Sequence, residues 1–102
     1  MVVVTFRNRF NPGIDEAEYG QRAGKLFEIV SAMPGFRSIR DYVAEDGERV
    51  ALIEFDSPES LAAWRDHAEH RIAQELGKQR YYAEYHLQIC ELVRESHKQA
   101  SA

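Results

Sequence analysis

The sequence predicts an α+β fold, a four-stranded antiparallel sheet with its helices on one face, and three observations carry that prediction. Val2–Phe10 and residues 85–93 alternate apolar and polar residues with a period of two. Phe36–Val43 and Arg49–Phe55 are strand patterns on either side of an Asp-Gly turn. Between these strands lie stretches whose apolar residues recur three and four apart. The resulting order, β-α-β-β-α-(α)-β, is the ferredoxin-like, split-βαβ arrangement.

The first strand places Val2, Val4, Phe6, Asn8 and Phe10 on one face and Val3, Thr5, Arg7 and Arg9 on the other. Asn8 is an amide among apolar neighbours. It either bonds to a strand end or to the turn at Asn11-Pro12-Gly13, or it points into a pocket. That turn stops the strand. From Ile14 the spacing becomes helical through Tyr19, Ala23, Leu26, Phe27, Val30 and Met33, with Asp15, Glu16 and Glu18 where acid complements the helix dipole. Gly20 and Gly24 each weaken that helix by about 1 kcal/mol relative to Ala. Close packing on the sheet or room for a ligand would explain them. Pro34-Gly35 ends the helix.

Asp46-Gly47, within the connection 44–48, is a hairpin signal. Arg49–Phe55 is apolar on both faces, the pattern of a strand covered on both sides. Helices in so short a chain cover one face, so a second subunit is expected on the other. Ser57-Pro58-Glu59 reads as N-cap, first helical position and first-turn acid. Leu61 and Trp64 share a face of that helix, and a second helical segment starts near Ala68. In the last strand Tyr85, Leu87, Ile89, Glu91 and Val93 oppose His86, Gln88, Cys90 and Leu92. Residues 1–94 form the expected domain, and 95–102 a frayed tail.

A chain of 102 residues is one domain with a modest core of its own. Its net charge of -4 leaves no basic footprint for nucleic acid. One cysteine, Cys90, allows no intrachain disulfide and fits a reducing compartment. The N-terminus is too short and too soon charged for a signal peptide or a membrane span, so a cytoplasmic protein is expected.

Residues 61–90 concentrate the distinctive side chains: the single Trp, three of four His, three of five Tyr and the Cys. The order Trp64, His67-x-x-His70, Gln74, Tyr81-Tyr82 and Tyr85-x-x-Gln88-x-Cys90, with M-P-G-F at 33–36 and A-E-D-G-E-R at 44–49, resembles the antibiotic biosynthesis monooxygenase family over nearly the whole chain. The resemblance implies two sheets packed face to face as a homodimeric α+β barrel. It also implies a pocket between sheet and helices, lined by Trp64 and by Asn8.

No phosphate loop, nucleophile elbow or dinucleotide fingerprint is present. His67 and His70 are three apart, a poor spacing for metal ligation, and each also suits a helix-start cap. A lone Trp in a small domain is commonly its largest packing element; the resemblance makes Trp64 a pocket wall as well. One family chemistry oxidises phenols, hydroquinones or anthrones with O2 and without metal or flavin. It asks for a dry cavity, a proton acceptor and a group to hold the carbonyl oxygen. The other binds and opens haem through an Asn, a Trp and an iron-ligating His, whose place falls here near Gln74. Oxidation of a small aromatic without cofactor or metal is therefore the expected activity; haem binding or degradation and a non-catalytic binding module are the alternatives. The candidate catalytic residues are Asn8, Trp64, His67 and His70. Phe27, Phe36, Arg37, Tyr81 and Tyr85 are candidates for substrate contact, with Arg80 and Tyr82 as further neighbours.

Overall fold

A computed structural model describes residues 1–100. Strand β1 (Val2–Phe10) leads to helix α1 (Glu16–Ser31), hairpin strands β2 (Phe36–Val43) and β3 (Arg49–Phe55), helices α2 (Pro58–Arg65) and α3 (Ala68–Leu76), a π-helical turn (Gly77–Tyr81) and strand β4 (Tyr82–Glu91). The sheet order is β2-β3-β1-β4 and all three pairings are antiparallel. This is the ferredoxin-like α+β fold expected from the sequence. The helix starts follow their local chemistry. Asp15 caps α1, accepting from the Glu18 amide, so the helix begins two residues after Ile14. Ser57 caps α2 in a reciprocal box with Ser60, and Pro58 takes the first helical position.

Register fixes the two faces. Val2 opposes Phe55, Val4 opposes Ile53, and Asn8 opposes Arg49 across β3 and Tyr85 across β4. The helix-side face of β1 is therefore Val2, Val4, Phe6, Asn8 and Phe10, as the alternation predicted. The core sits at one end of this face, where Phe55, Val30 and Trp64 meet, flanked by Leu26, Ile29, Met33, Phe36, Ile53 and Leu61. Phe55 is fully buried; burying such a side chain stabilises by about 1.5–3 kcal/mol.

Three details depart from the predicted pattern. Strand β4 begins at Tyr82 rather than near Tyr85, because an irregularity between Arg9 and Phe10 lets Phe10 pair with Tyr82. A similar irregularity in β2 leaves Arg37 unpaired between Phe36 and Ser38, and its exposed guanidinium bonds Asp56 at 3.2 Å. Gly20 and Gly24 are not sites of close packing: a Cβ on either would meet nothing within 4 Å. Residues 92–100 carry no regular secondary structure, and the rest of the expected tail, 101 and 102, lies outside the described residues. Among the described residues no helix is long and apolar enough to cross a membrane.

Candidate active site

Helix α1 runs from the Asn8 end of the sheet towards the core, and α3 with the π-turn runs back. The return is closed where the Asn11 amide donates to the Tyr81 carbonyl at 2.8 Å and the Asn11 side chain donates to the Arg80 carbonyl at 3.2 Å. The candidate residues consequently fall into two groups on the same side of the sheet. Trp64, His67, His70, Phe27 and Phe36 gather at the core end. Asn8, Tyr81 and Tyr85 gather at the other. Phe55, which packs with Trp64, lies level with Val2, six residues or about 20 Å along β1 from Asn8.

At the core end, the His70 imidazole stacks on the Trp64 indole with centroids 4.3 Å apart and planes 10° from parallel. Its Nδ1 lies 3.1 Å from the Trp64 carbonyl oxygen. Burial against the indole pushes the His70 pKa down, opposed by the carbonyl bond and aided by His67. The ring is thus held as a neutral base. His67 caps α3, its Nδ1 accepting from the Glu69 amide at 3.2 Å. The Gln74 amide nitrogen is 3.3 Å from His70 Nδ1. Phe27, half-exposed, meets Phe36 edge-on, and Phe36 in turn meets Phe55 edge-on.

The Asn8 end is an aromatic enclosure. Asn8 is only 4% exposed, and its Oδ1 has no hydrogen-bond partner. Tyr82 stands edge-on to Phe6 at 5.2 Å and parallel to Phe10 at 6.2 Å. The Tyr19 and Tyr82 hydroxyls share a hydrogen bond of 3.0 Å, and Tyr85 tilts against Phe6 at 5.9 Å. Burial, then the neighbouring Tyr19, pushes the Tyr82 pKa far up, so its hydroxyl stays neutral. The buried Tyr81 hydroxyl donates to Glu18 Oε1 at 2.8 Å. That bond holds the Glu18 carboxyl below its usual range, while burial and then Glu18 raise Tyr81.

Sequence reasoning missed Arg49. Its guanidinium carbon lies 4.0 Å over the Phe10 ring and 5.1 Å from the Tyr19 ring, and its buried Nη1 has no hydrogen-bond partner. The signal was its place at the edge of a strand apolar on both faces, but nothing local says that an arginine there turns inward. Two clefts open at this end. One of about 490 Å³ is lined by Asn11–Asp15 loop residues with Glu18, Arg80 and Tyr81. The other, of about 280 Å³, reaches Asn8 and Tyr85 beside Arg7, Glu48, Glu84 and His86. Among the described residues no three His, Cys, Asp or Glu side chains assemble as a metal-ligand set.

Known proteins share this architecture. The chain superposes on the Mycobacterium tuberculosis protein Rv0793 with a TM-score of 0.79 at 18% identity, covering 94% of this chain and 98% of that one. A Deinococcus radiodurans protein assigned to the antibiotic biosynthesis monooxygenases gives 0.80 at 10% identity, over 98% and 100%. In sequence, Bacillus subtilis YqjZ is 26% identical over 81 residues, 79% of this chain and 71% of that protein. The model of the family described as antibiotic biosynthesis monooxygenase matches residues 1–76, from the start of β1 to the end of α3. A match over that much of the fold, including Asn8, Arg49, Trp64 and both histidines, means that the chain belongs to the antibiotic biosynthesis monooxygenase family.

Proposed function

We propose that this protein oxidises a small activated aromatic, such as a hydroquinone or an anthrone, with O2 and without haem, flavin or metal. The observation that carries the reading is the buried Oδ1 of Asn8, left without a partner between Phe6 and Phe10 on its strand face and opposite Tyr85. An unpaired buried acceptor costs about 1–3 kcal/mol. Such a group is expected where a ligand completes it, and aromatic walls with a few convergent polar atoms are the usual form of a small-molecule site.

The substrate supplies its own electrons. Once deprotonated it gives electrons to O2, a C–O bond forms, and loss of water from the peroxide leaves a carbonyl. The net change is addition of one oxygen atom, loss of two hydrogens and release of one water, so no external reductant enters. In this reading Asn8 holds a hydroxyl of the substrate, with Tyr85 opposite it across the strand pair and Tyr81 at the same end of the sheet. Trp64, His67 and His70, with Phe27 and Phe36, gather at the core end about 20 Å along β1, beyond the reach of a small aromatic held by Asn8. The residue at the place of the haem-degrading relatives' iron ligand is Gln74. An amide is a poor iron ligand beside His, Cys, Met or Tyr.

The working unit in this proposal is a homodimer joined through the helix-free face of the sheet, where Val3, Val50 and Leu52 are only half-buried. The test of function is O2 uptake with a panel of hydroquinones and anthrones, using colourless protein treated with chelator. Turnover that appears only on adding haem overturns the reading. Ligand-induced stabilisation with no turnover of any phenol leaves a binding module.

A further inference from the structure

We propose that Arg49 and Asn8 act together to select an aromatic oxyanion with a hydroxyl beside its charged oxygen, Arg49 taking the anionic oxygen and Asn8 the hydroxyl proton. The inference rests on the reading of this end of the sheet as the substrate site, and it narrows the substrate class.

Both groups are incomplete in complementary ways. Arg49 Nη1 is a buried donor without an acceptor, and Asn8 Oδ1 is a buried acceptor without a donor. They belong to directly paired residues on adjacent strands, so both project to the helix side, with Cα atoms about 4.5–5.5 Å apart. Among the described residues no ion pair reaches Arg49. The nearby acids are otherwise engaged: Glu48 pairs with Arg7 and Asp46 with Arg9. Asp41, one register pair away on the same face, is exposed.

The Phe10 and Tyr19 rings hold the guanidinium by its face, which leaves its edge N–H groups to find an acceptor. A guanidinium with a buried N–H that lacks an acceptor and a counter-charge is stabilised most by an anion. A neutral phenol would satisfy Asn8 and leave the cation uncompensated. A plain carboxylate would satisfy Arg49 and press a second acceptor against Asn8 Oδ1. An oxyanion with an adjacent hydroxyl presents one acceptor and one donor on the same edge of a planar molecule, and it alone completes both groups.

The test uses ligands that O2 does not oxidise. Salicylate, benzoate and salicyl alcohol are titrated calorimetrically into the wild type, Arg49→Gln, Arg49→Lys and Asn8→Leu. In the wild type salicylate is expected to bind roughly tenfold more tightly than either of the others, the scale of one hydrogen bond to a charged group. Arg49→Gln should erase the preference over salicyl alcohol, and Asn8→Leu the preference over benzoate. Arg49→Lys, which keeps the charge, should retain part of the first preference, and it serves if the glutamine variant does not fold. Equal binding of the three probes by the wild type, or no saturable binding of salicylate, overturns the proposal without reference to any variant. A salicylate preference in a protein that consumes no O2 would sink the oxygenase reading and leave this selection standing. Turnover of phenols lacking the adjacent hydroxyl, with no salicylate preference, would do the reverse.

Discussion

Asn8 separates function from stability at a single side chain. Its Oδ1 is buried and unpaired, so the folded chain gains nothing from that atom. Asn8→Leu, which keeps the branching at Cγ, should stabilise the fold by up to about 1–3 kcal/mol, because it removes a buried acceptor that no donor satisfies. The same change should abolish discrimination among hydroxylated aromatics. Urea melts read the first effect and ligand titration the second; a loss of stability with unchanged binding would make Asn8 a structural residue. His70 supplies the pH dependence. Its pKa lies below 6.5 in the fold because burial disfavours the charged ring. The unfolded chain therefore binds more protons between the folded pKa and about 6.5. The stability His70 contributes is complete above about pH 6.5 and is lost as pH falls through its folded pKa. Melts from pH 5 to 8 should slope less in His70→Gln than in the wild type, and an NMR titration should place the ring pKa below 6.5. The two residues also differ from Arg49 in how they could be read. Asn8 interrupts an apolar alternation and His70 closes the His67-x-x-His70 pattern just after Trp64, both local signals. Arg49 follows a charged turn and reads as solvent-facing; only the arrival of Phe10 and of Tyr19 from α1 draws its guanidinium inward, with Nη1 buried.

At the scale of elements, the strands and helices that local chemistry dictates were legible, and those set by tertiary contact were not. The Ser57 box with Pro58 and the Asp46-Gly47 turn, with Gly47 at φ 89°, specify their geometry within a few residues. The π-turn at Gly77–Tyr81 has no such signature. It is shaped by Tyr82, which packs into the aromatic enclosure and lies against Gly77. A Cβ on Gly77 would stand 2.6 Å from Tyr82 Cε2. Alanine is a better helix former than glycine, so propensity alone predicts that Gly77→Ala stabilises. The clash should win: about 1–3 kcal/mol of destabilisation, as for other overpacked sites. Because Tyr82 must move to relieve it, the Tyr19–Tyr82 hydrogen bond and aromatic ligand binding should weaken together. Chemical melts with tyrosine fluorescence check this. A stabilised Gly77→Ala with unchanged ligand affinity would show that the turn yields without disturbing the enclosure. Strand β4 lengthened by the same route: its first residue is placed by the pairing of Phe10 with Tyr82 across an irregular register, which no alternation in residues 82–85 announces.

For the whole molecule, the core is too small for the surface the chain leaves open. Six apolar residues, Val2, Val4, Val30, Phe55, Trp64 and Tyr81, are buried, while Tyr85, Leu87 and Ile89 on β4 are each about half exposed. The accessible surface is 7466 Å², against about 5,900 Å² for a compact monomer of this mass. Residues 92–100, which carry no regular secondary structure, account for part of the excess. The helix-free face accounts for another part: Val3, Val50 and Leu52 line it in neighbouring positions, Val3 beside Glu54 and Thr5 beside Leu52 across the β1–β3 register. The two-faced apolar pattern of Arg49–Phe55 is what a strand needs when its second face meets another sheet. Two copies packed through that face would cover Leu52 near the centre and leave the ion pairs of Arg7 and Arg9, with Glu48, Asp46 and Glu84, at the rim. Sedimentation velocity at micromolar concentration should therefore give a dimer. Leu52→Asp, which places an unpaired charge at the middle of that face, should give a monomer that melts at lower temperature, with its melting point no longer rising with protein concentration. Lys25→Ala, on the exposed side of α1 and away from that face, should leave the dimer intact. A wild type that sediments as a stable monomer sinks the prediction, as does a Leu52→Asp variant that remains dimeric.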